Sequence, residues 1–259
     1  MQAKHGYDEP LHVGLGGGIA TPWAVAAAFA MGADYIVTGS VNQACVDSGP
    51  SPLVREMLAA ASQTDVGEAP AADMFEMGVS VQVLKKGTRF TIRGAKLFET
   101  YKAYPSLEAI PAEERAKLEK DVFRLPLDEI WSQTAAFFAE RDPRQVEKAE
   151  KDPRHKLALV FRWYLGQASG WANRGVEDRR EDFQIWCGPA MGAFNEWTTG
   201  SFLEQVSERR TANVALNLLH GGAMVLRRHT LACQGVAGAT AMAAVRPLTD
   251  AELEKALSE

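Results

Sequence analysis

The chain has 259 residues, a formal net charge of −5 at pH 7 and a sequence pI of about 5.7. This length allows one large domain or two smaller ones, and the acidic balance argues against a nucleic-acid partner. Its three cysteines are far apart and form no C-x-x-C pair, so we expect no metal site, no disulfide framework and a cytoplasmic location. No early apolar run is long enough to span a bilayer, and we expect no membrane partner.

The first forty residues predict a strand, a glycine turn, a helix and a second strand. Residues 11–15 are a short apolar run typical of a buried strand. Thr21 and Pro22 suit the N-cap and first position of a helix, and Gly32 suits its end. Residues 35–40 predict another strand. A strand–helix–strand unit of this spacing makes the two strands parallel.

Glycines follow both predicted strands, and they raise the possibility of a phosphate site. Glycine permits positive φ and a close approach of backbone N–H groups, and a helix N-terminus favours an anion. In (β/α)₈ barrels, a phosphate commonly lies in the loops after strands seven and eight. A tight turn without a ligand is the alternative for either segment alone. The candidate residues are Gly16, Gly17, Gly18, Thr38, Gly39 and Ser40.

The remainder of the chain changes character. Val79, Val81 and Val83 alternate with other residues and predict a strand. From about residue 94 to about residue 243, nearly everything predicts helix. Thr249 is the expected N-cap of a short helix in the tail. The opening therefore belongs to the α/β class, and a long helical body follows it.

Several stretches resemble one enzyme family. The glycine segments resemble the FMN-phosphate segment of the superfamily of nitronate monooxygenases and flavin-dependent enoyl reductases. Closer likeness lies in the strings TGSVNQACVDSG, APAADMFEMGVSVQVLKKGTRF, LEAIPAEER, ALVFRWYLG and DFQIWCGPAMGAFNEW. They resemble the PfaD-type enoyl reductases of polyunsaturated fatty acid and trans-acyltransferase polyketide synthases, over residues 11 to about 235.

The resemblance implies a fold and a reaction. The fold would be a TIM-type (β/α)₈ barrel with a large inserted helical domain, related to an insert of malonyltransferase-like proteins. The cofactor would be FMN with NAD(P)H as reductant, and the substrate an enoyl thioester on an acyl carrier protein. Gly17, Gly18, Gly39 and Ser40 match positions that hold the FMN phosphate, and Gly16 matches less firmly. The helical body would shape the acyl entrance.

The resemblance also implies that the chain begins at about the seventh barrel strand. The family's catalytic histidine would lie in the missing part, so no catalytic residue is assigned. We expect a fragment, or one half of a split protein whose partner chain supplies the other strands. The expected domains are the last barrel units at 1–70, a connecting segment at 71–105, a helical domain at 106–245 and a tail at 246–259.

Other residue groups have both a functional and a structural interpretation. Cys187 is either a nucleophile or a small buried residue of the core, and we favour the second interpretation. Asn195 and Glu196 are possible site residues of unknown orientation. The aromatic side chains of one predicted helix could line a pocket, although such a group is more typical of a protein core. These residues are Phe161, Trp163, Tyr164 and Trp171. A possible basic docking surface for a carrier protein comprises Arg174, Arg179 and Arg180. We expect ordinary surface or core roles for His5, His12, His155, His220 and His229.

Two alternative functions stay open. One is a nitronate monooxygenase-like flavin oxidase, against which the helical insert argues. The other is a catalytically incomplete protein that acts only by binding a partner chain, because two parallel strands with open edges invite pairing.

Overall fold

The computed structural model describes residues 2–239 and 244–258, and this part of the chain is mixed α/β and rich in helix. The helices are α1 (Gln2–His5), α2 (Pro22–Ala30), α3 (Ser40–Gln43), α4 (Pro52–Ala59), α5 (Phe90–Ala103), α6 (Ala112–Leu118), α7 (Leu127–Arg141), α8 (Pro143–Lys151), α9 (Pro153–Arg174), α10 (Ala190–Thr198), α11 (Thr211–Cys233) and α12 (Asp250–Ser258). The strands are β1 (Gly14–Gly16), β2 (Tyr35–Val37), β3 (Val66–Pro70) and β4 (Ser80–Leu84).

The strands of the described residues form two separate two-stranded sheets, β1–β2 and β3–β4, rather than a closed barrel. This confirms a mixed α/β class, while the TIM-type barrel stays a proposal. None of the helices in the described ranges is both long and apolar enough to cross a membrane.

The chain divides into two compact units. The split unit comprises the residues up to Asp65 and those from Cys187 onward, and the helical unit comprises Val66–Trp186. The boundaries expected from the sequence stay a prediction, and the end of the expected helical body at residues 240–243 lies outside the described residues.

The split unit opens with the predicted strand, helix and strand. Thr21 Oγ1 accepts a hydrogen bond from Ala24 N at 3.4 Å, and Pro22 is the first residue of α2. Gly32 follows the helix with φ +91°, which confirms the predicted start and stop. Both strands are shorter than predicted. The first strand begins only at Gly14, because Val13 N donates to the Asp34 carboxylate and the Val13 carbonyl accepts from Asp34 N. The second strand ends at Val37.

Glycines also set how closely two helices of the split unit approach. A Cβ on Gly221 of α11 would lie 2.7 Å from Pro22 Cγ, and one on Gly222 would lie 2.5 Å from Val25. The absence of these side chains allows α11 to pack against α2.

Asn195 of α10 donates to the carbonyls of Leu58 and Ala61 at 2.9 and 2.8 Å, and so satisfies carbonyl groups at the C-terminal end of α4.

The helical unit combines the second sheet with the aromatic helix. Strands β3 and β4 are antiparallel, with Val66 opposite Leu84. The alternating valines predict β4, whereas β3 was not predicted, because its sequence VGEAP contains residues that are depleted in strands. In α9, Phe161 and Tyr164 are fully buried and Trp171 is 8% exposed. These three residues confirm the core interpretation.

Asp182 is the electrostatic centre of the helical unit. Its fully buried carboxylate accepts hydrogen bonds from Arg93, from Tyr164 Oη at 2.8 Å and from Arg179 at 3.2 Å. Arg124 lies 3.5 Å from it. Burial, then the charge of Asp182, raises the pKa of Tyr164, so the phenol stays protonated and donates. This cluster ties α5, α9 and the segment before Trp186 together.

Candidate phosphate-binding site

Strand pairing brings the two predicted glycine segments to the same edge of a sheet. Strands β1 and β2 are parallel, and Gly16 is opposite Val37. The chain therefore leaves both strands at neighbouring points, and Gly17 follows one strand where Thr38 follows the other. Gly16 is the last residue of β1.

The first turn, Gly17–Gly18, has a backbone conformation that glycine adopts readily. Gly17 and Gly18 have φ of +86° and +72°, both are exposed, and a Cβ on either would meet no atom within 4 Å. Among the described residues, no oxygen accepts the N–H of Gly18. The N-terminus of α2 lies four residues further on, at Pro22, and adds the positive end of the helix dipole. This turn therefore offers a bare backbone donor to a ligand.

The second turn, which comprises residues 38–40, is held by side-chain hydrogen bonds. Thr38 Oγ1 donates to Asn42 Oδ1 at 3.1 Å, and Asn42 Nδ2 donates back to the Thr38 carbonyl at 3.2 Å. Gly39 is exposed, and its N–H has no acceptor within the described part of the chain. Ser40 Oγ accepts the N–H of Gly188 at 3.0 Å, which leaves the hydroxyl hydrogen free to donate.

The six candidates therefore take different positions. Gly18 and Gly39 present backbone N–H donors and Ser40 presents a hydroxyl. Gly17 leaves the turn without a side chain, Gly16 ends a strand, and the side chain of Thr38 is used within its turn. A phosphate group fits the exposed, side-chain-free surface of these turns.

The other polar candidates of the split unit are structural. Cys187 is buried, and burial, with a smaller contribution from Asp65, raises its pKa to about 11, so it stays a thiol. Asn195 holds α4 and also accepts from buried Arg209 at 2.9 Å, and Glu196 accepts from Gln63 at 3.0 Å. Burial lowers the pKa of Arg209 to about 10.

The histidines do not assemble a catalytic group. His5, His12 and His229 are exposed, and His220 is half-buried. His155 is buried in the helical unit, where its Nε2 donates to Gln145 Oε1 at 2.9 Å. Within the described residues, no group of three His, Cys, Asp or Glu side chains could hold a metal ion.

The docking surface suggested by three arginines needs a correction. Arg174 and Arg180 are exposed, but Arg179 is buried and donates to the carbonyls of Val122 and Phe123 at 3.1 and 2.7 Å, and to Asp182. The charge of Arg179 is paired with Asp182 inside the helical unit, so the prediction that Arg179 belongs to a docking surface is wrong.

The chain is similar to proteins of polyunsaturated fatty acid and polyketide biosynthesis. Residues 104–183 match the family model of the inserted helical domain of acyl-carrier-protein S-malonyltransferase. The chain is 49% identical over 234 residues to one of the subunits of the polyunsaturated fatty acid synthase of Thraustochytrium sp. (strain ATCC 26185 / S-3), covering 88% of this chain and 16% of that protein. It is 42% identical over 226 residues to polyketide biosynthesis protein PksE of Bacillus subtilis (strain 168), covering 87% and 29%.

A solved structure is similar over most of the chain. The enoyl reductase domain of MlnA, from the macrolactin biosynthesis cluster of Bacillus amyloliquefaciens, superposes with a TM-score of 0.84 at 39% identity, covering 90% of this chain and 52% of that one. The chain thus spans about half of the solved domain and less than a third of the two relatives. Its homologues are subunits of polyunsaturated fatty acid synthases and polyketide biosynthesis proteins.

Proposed function

We propose that this chain is the cofactor-phosphate-binding part of an FMN-dependent, PfaD-type enoyl reductase of polyunsaturated fatty acid or polyketide biosynthesis. The observation that carries the proposal is the parallel register of β1 and β2, which puts two glycine segments with free N–H groups side by side. The likeness to an enoyl reductase domain at 39% identity supports the reaction class.

The residues of this chain would bind and orient the cofactor. The N–H groups of Gly18 and Gly39 and the hydroxyl of Ser40 would donate to the phosphate, and Gly17 would keep the turn free of side chains. When bound, FMN would supply hydride transfer from NAD(P)H to the 2,3-double bond of an enoyl thioester on an acyl carrier protein. Rigid anchoring of the phosphate fixes the position of the rest of the cofactor.

The exposed sheet supports a larger assembly around this site. Tyr35 and Val37 are 50% and 55% exposed, although they belong to a parallel strand pair. Parallel sheets are normally covered and continued by further strands. We therefore propose that further polypeptide, in the same protein or in a partner chain, continues this sheet and supplies the catalytic acid.

The proposal is tested by titrating the chain with FMN and with riboflavin, which lacks the phosphate. We expect FMN to bind more tightly than riboflavin. Gly18→Ala should weaken FMN binding by about tenfold, because the added Cβ strains a positive φ at the donor, and it should leave riboflavin binding unchanged.

Gly200→Ala is the matched control. Gly200 also has a positive φ, +75°, and open space around a Cβ, but it lies outside the two turns. The Gly200→Ala variant should lose stability as Gly18→Ala does, but its affinity for FMN should be unchanged. Equal binding of FMN and riboflavin to the chain would contradict phosphate capture by these residues.

A nitronate and an enoyl thioester, each offered to the FMN-loaded complete protein that includes the further polypeptide, separate the reductase from a flavin oxidase. NADPH-dependent loss of the enoyl double bond supports the reductase, and oxygen consumption with the nitronate supports the oxidase.

A further inference from the structure

A cavity of the split unit is not used by any of the functions above. It has a volume of about 500 Å³ and lies between α2 and α11. The two helices approach closely where Gly222 meets Val25, and the α2 side chains that line the cavity beyond that point are small: Ala26, Ala27 and Ala30. The volume is within the range of small-molecule sites in proteins.

One side chain of the lining offers a flat apolar surface to a ligand. Trp23 of α2 is 46% exposed, and the other apolar walls are alanine, valine and leucine side chains. An indole ring packs favourably on a second flat ring in offset-stacked or edge-to-face geometry. A planar aromatic group therefore fits this surface better than a compact polar one.

The charge character of the lining favours an anion. Besides the indole N–H of Trp23, the polar side chains of the lining are Arg228 and His229, and none of the described residues that form it is acidic. Neither α2 nor α11 contains an aspartate or a glutamate. An anion in the cavity would therefore meet a guanidinium without a competing carboxylate on either helix.

The guanidinium of Arg228 provides a second, independent observation. Arg228 is half-buried, and within the described part of the chain it has no hydrogen bond or ion pair. Its charge loses part of its hydration in this position, and no group of the described protein compensates it. A carboxylate or phosphate bound in the cavity would supply the counter-charge.

We propose that this cavity binds a planar aromatic anion, with the ring against Trp23 and the acidic group on Arg228. The site is separate from the phosphate site, because none of the six candidate residues of the two glycine turns lines it. The proposal also does not depend on the proposed function, since it invokes neither the turns nor FMN.

The test is a ligand-observed NMR titration of the 259-residue chain with 2-naphthoate, an aromatic carboxylate. We expect 2-naphthoate to bind about tenfold more tightly than 2-naphthamide, which has a similar shape and no charge. Acetate, which has the charge and no ring, should bind more weakly than both. Equal affinities for 2-naphthoate and 2-naphthamide would overturn the proposal, and so would the absence of 2-naphthoate binding.

Variants locate the binding. Arg228→Gln and Trp23→Ala should each weaken 2-naphthoate binding by about tenfold, because one removes the counter-charge and the other the stacking surface. Arg227→Gln is the charge control, since Arg227 is exposed and outside the lining. Trp186→Ala is the aromatic control, since Trp186 is 49% exposed and belongs to the helical unit. Both controls should bind like the parent, and unchanged affinity in Arg228→Gln and Trp23→Ala would overturn the proposal.

Two further arms separate the possible sources of the ligand from another occupant. Adenosine monophosphate binding that is weakened by Trp23→Ala and Arg228→Gln would identify the anion as a nucleotide, and 2-naphthoate binding alone would identify it as an aromatic acid. A dimer in sedimentation velocity that dissociates in Trp23→Ala would assign the cavity to a second copy of the chain and overturn the proposal. Gly18→Ala, the variant of the FMN titration, changes no residue of this lining, so the two tests fail independently.

Discussion

Asp182 shows how much of the helical unit depends on one side chain. Its carboxylate is fully buried and receives hydrogen bonds from two arginines and a tyrosine. If the carboxylate were neutralised, the buried guanidinium of Arg179 would lose its counter-charge, whereas Arg93 would keep Glu181 at 3.4 Å. The cluster is therefore better regarded as a device that fixes the positions of three segments than as a source of net stability.

We expect Asp182→Asn to lower the free energy of unfolding by about 3–5 kcal/mol, because it leaves the buried guanidinium of Arg179 uncompensated. Urea denaturation measures the change. Asp178→Asn is the control, since its side chain is 77% exposed and should change stability by about 0.5 kcal/mol or less. A similar small effect of both substitutions would contradict the assigned role of Asp182.

His155 should make stability depend on pH. Burial lowers its pKa in the folded state, with a smaller contribution from Lys148. The unfolded chain therefore takes up the proton first as the pH falls below about 6.5, and stability declines.

We expect the free energy of unfolding to fall between about pH 7.5 and about pH 5.5, and to fall less in His155→Gln, which retains a partner for Gln145. Urea midpoints at the two pH values measure the difference. Identical pH profiles for parent and variant would contradict a depressed pKa of His155 in the folded protein.

At the scale of elements, two glycines with the same local structure have opposite expected effects. Gly192 of α10 packs against the backbone of Ser62 and Gln63, and a Cβ there would overlap those atoms. Gly166 of α9 faces open space. The structural environment, rather than helix propensity, decides what alanine would do at each.

We expect Gly192→Ala to destabilise the split unit by about 3 kcal/mol through overpacking. Gly166→Ala should stabilise the helical unit by about 1 kcal/mol, because alanine is the better helix former. Thermal denaturation of both variants gives the signs. A stabilising Gly192→Ala would mean that α10 can move away from residues 62–63 at little cost.

Sequence predicts elements where the signal is local. Thr21, Pro22 and Gly32 define α2 because capping depends on neighbours within a turn. The parallel pairing of two strands follows from the single helix between them. The cluster at Asp182 was not predicted, because its partner Arg93 is 89 residues away in the chain. The sequence does not predict strand β3, because its pairing with β4 outweighs its low β-propensity. The catalytic acid stays unassigned.

At the scale of the whole molecule, the β1–β2 sheet leaves apolar side chains exposed in the described part of the split unit. Tyr35 and Val37 are half exposed on the same strand. Exposed parallel strands with free edges pair with other chains unless charges prevent it.

We expect the chain to self-associate in a concentration-dependent way, and Val37→Lys to reduce that association by placing a charge on the strand. Sedimentation velocity measures it. Val236→Lys is the control, because Val236 is 47% exposed but follows α11 and belongs to neither strand of the sheet. A monomeric parent at high concentration would contradict association through this surface.

The order of the two units along the chain has a consequence for biosynthesis. The helical unit is one continuous stretch, Val66–Trp186, inserted between the two parts of the split unit. On the ribosome, the helical unit can fold as soon as it emerges, whereas the first 65 residues must wait for α10 and α11. At about 5–20 residues per second, those 121 intervening residues take roughly 6–24 s. During that interval the nascent β1–α2–β2 segment lacks the helices that cover it, so holdase chaperones should engage the chain there first.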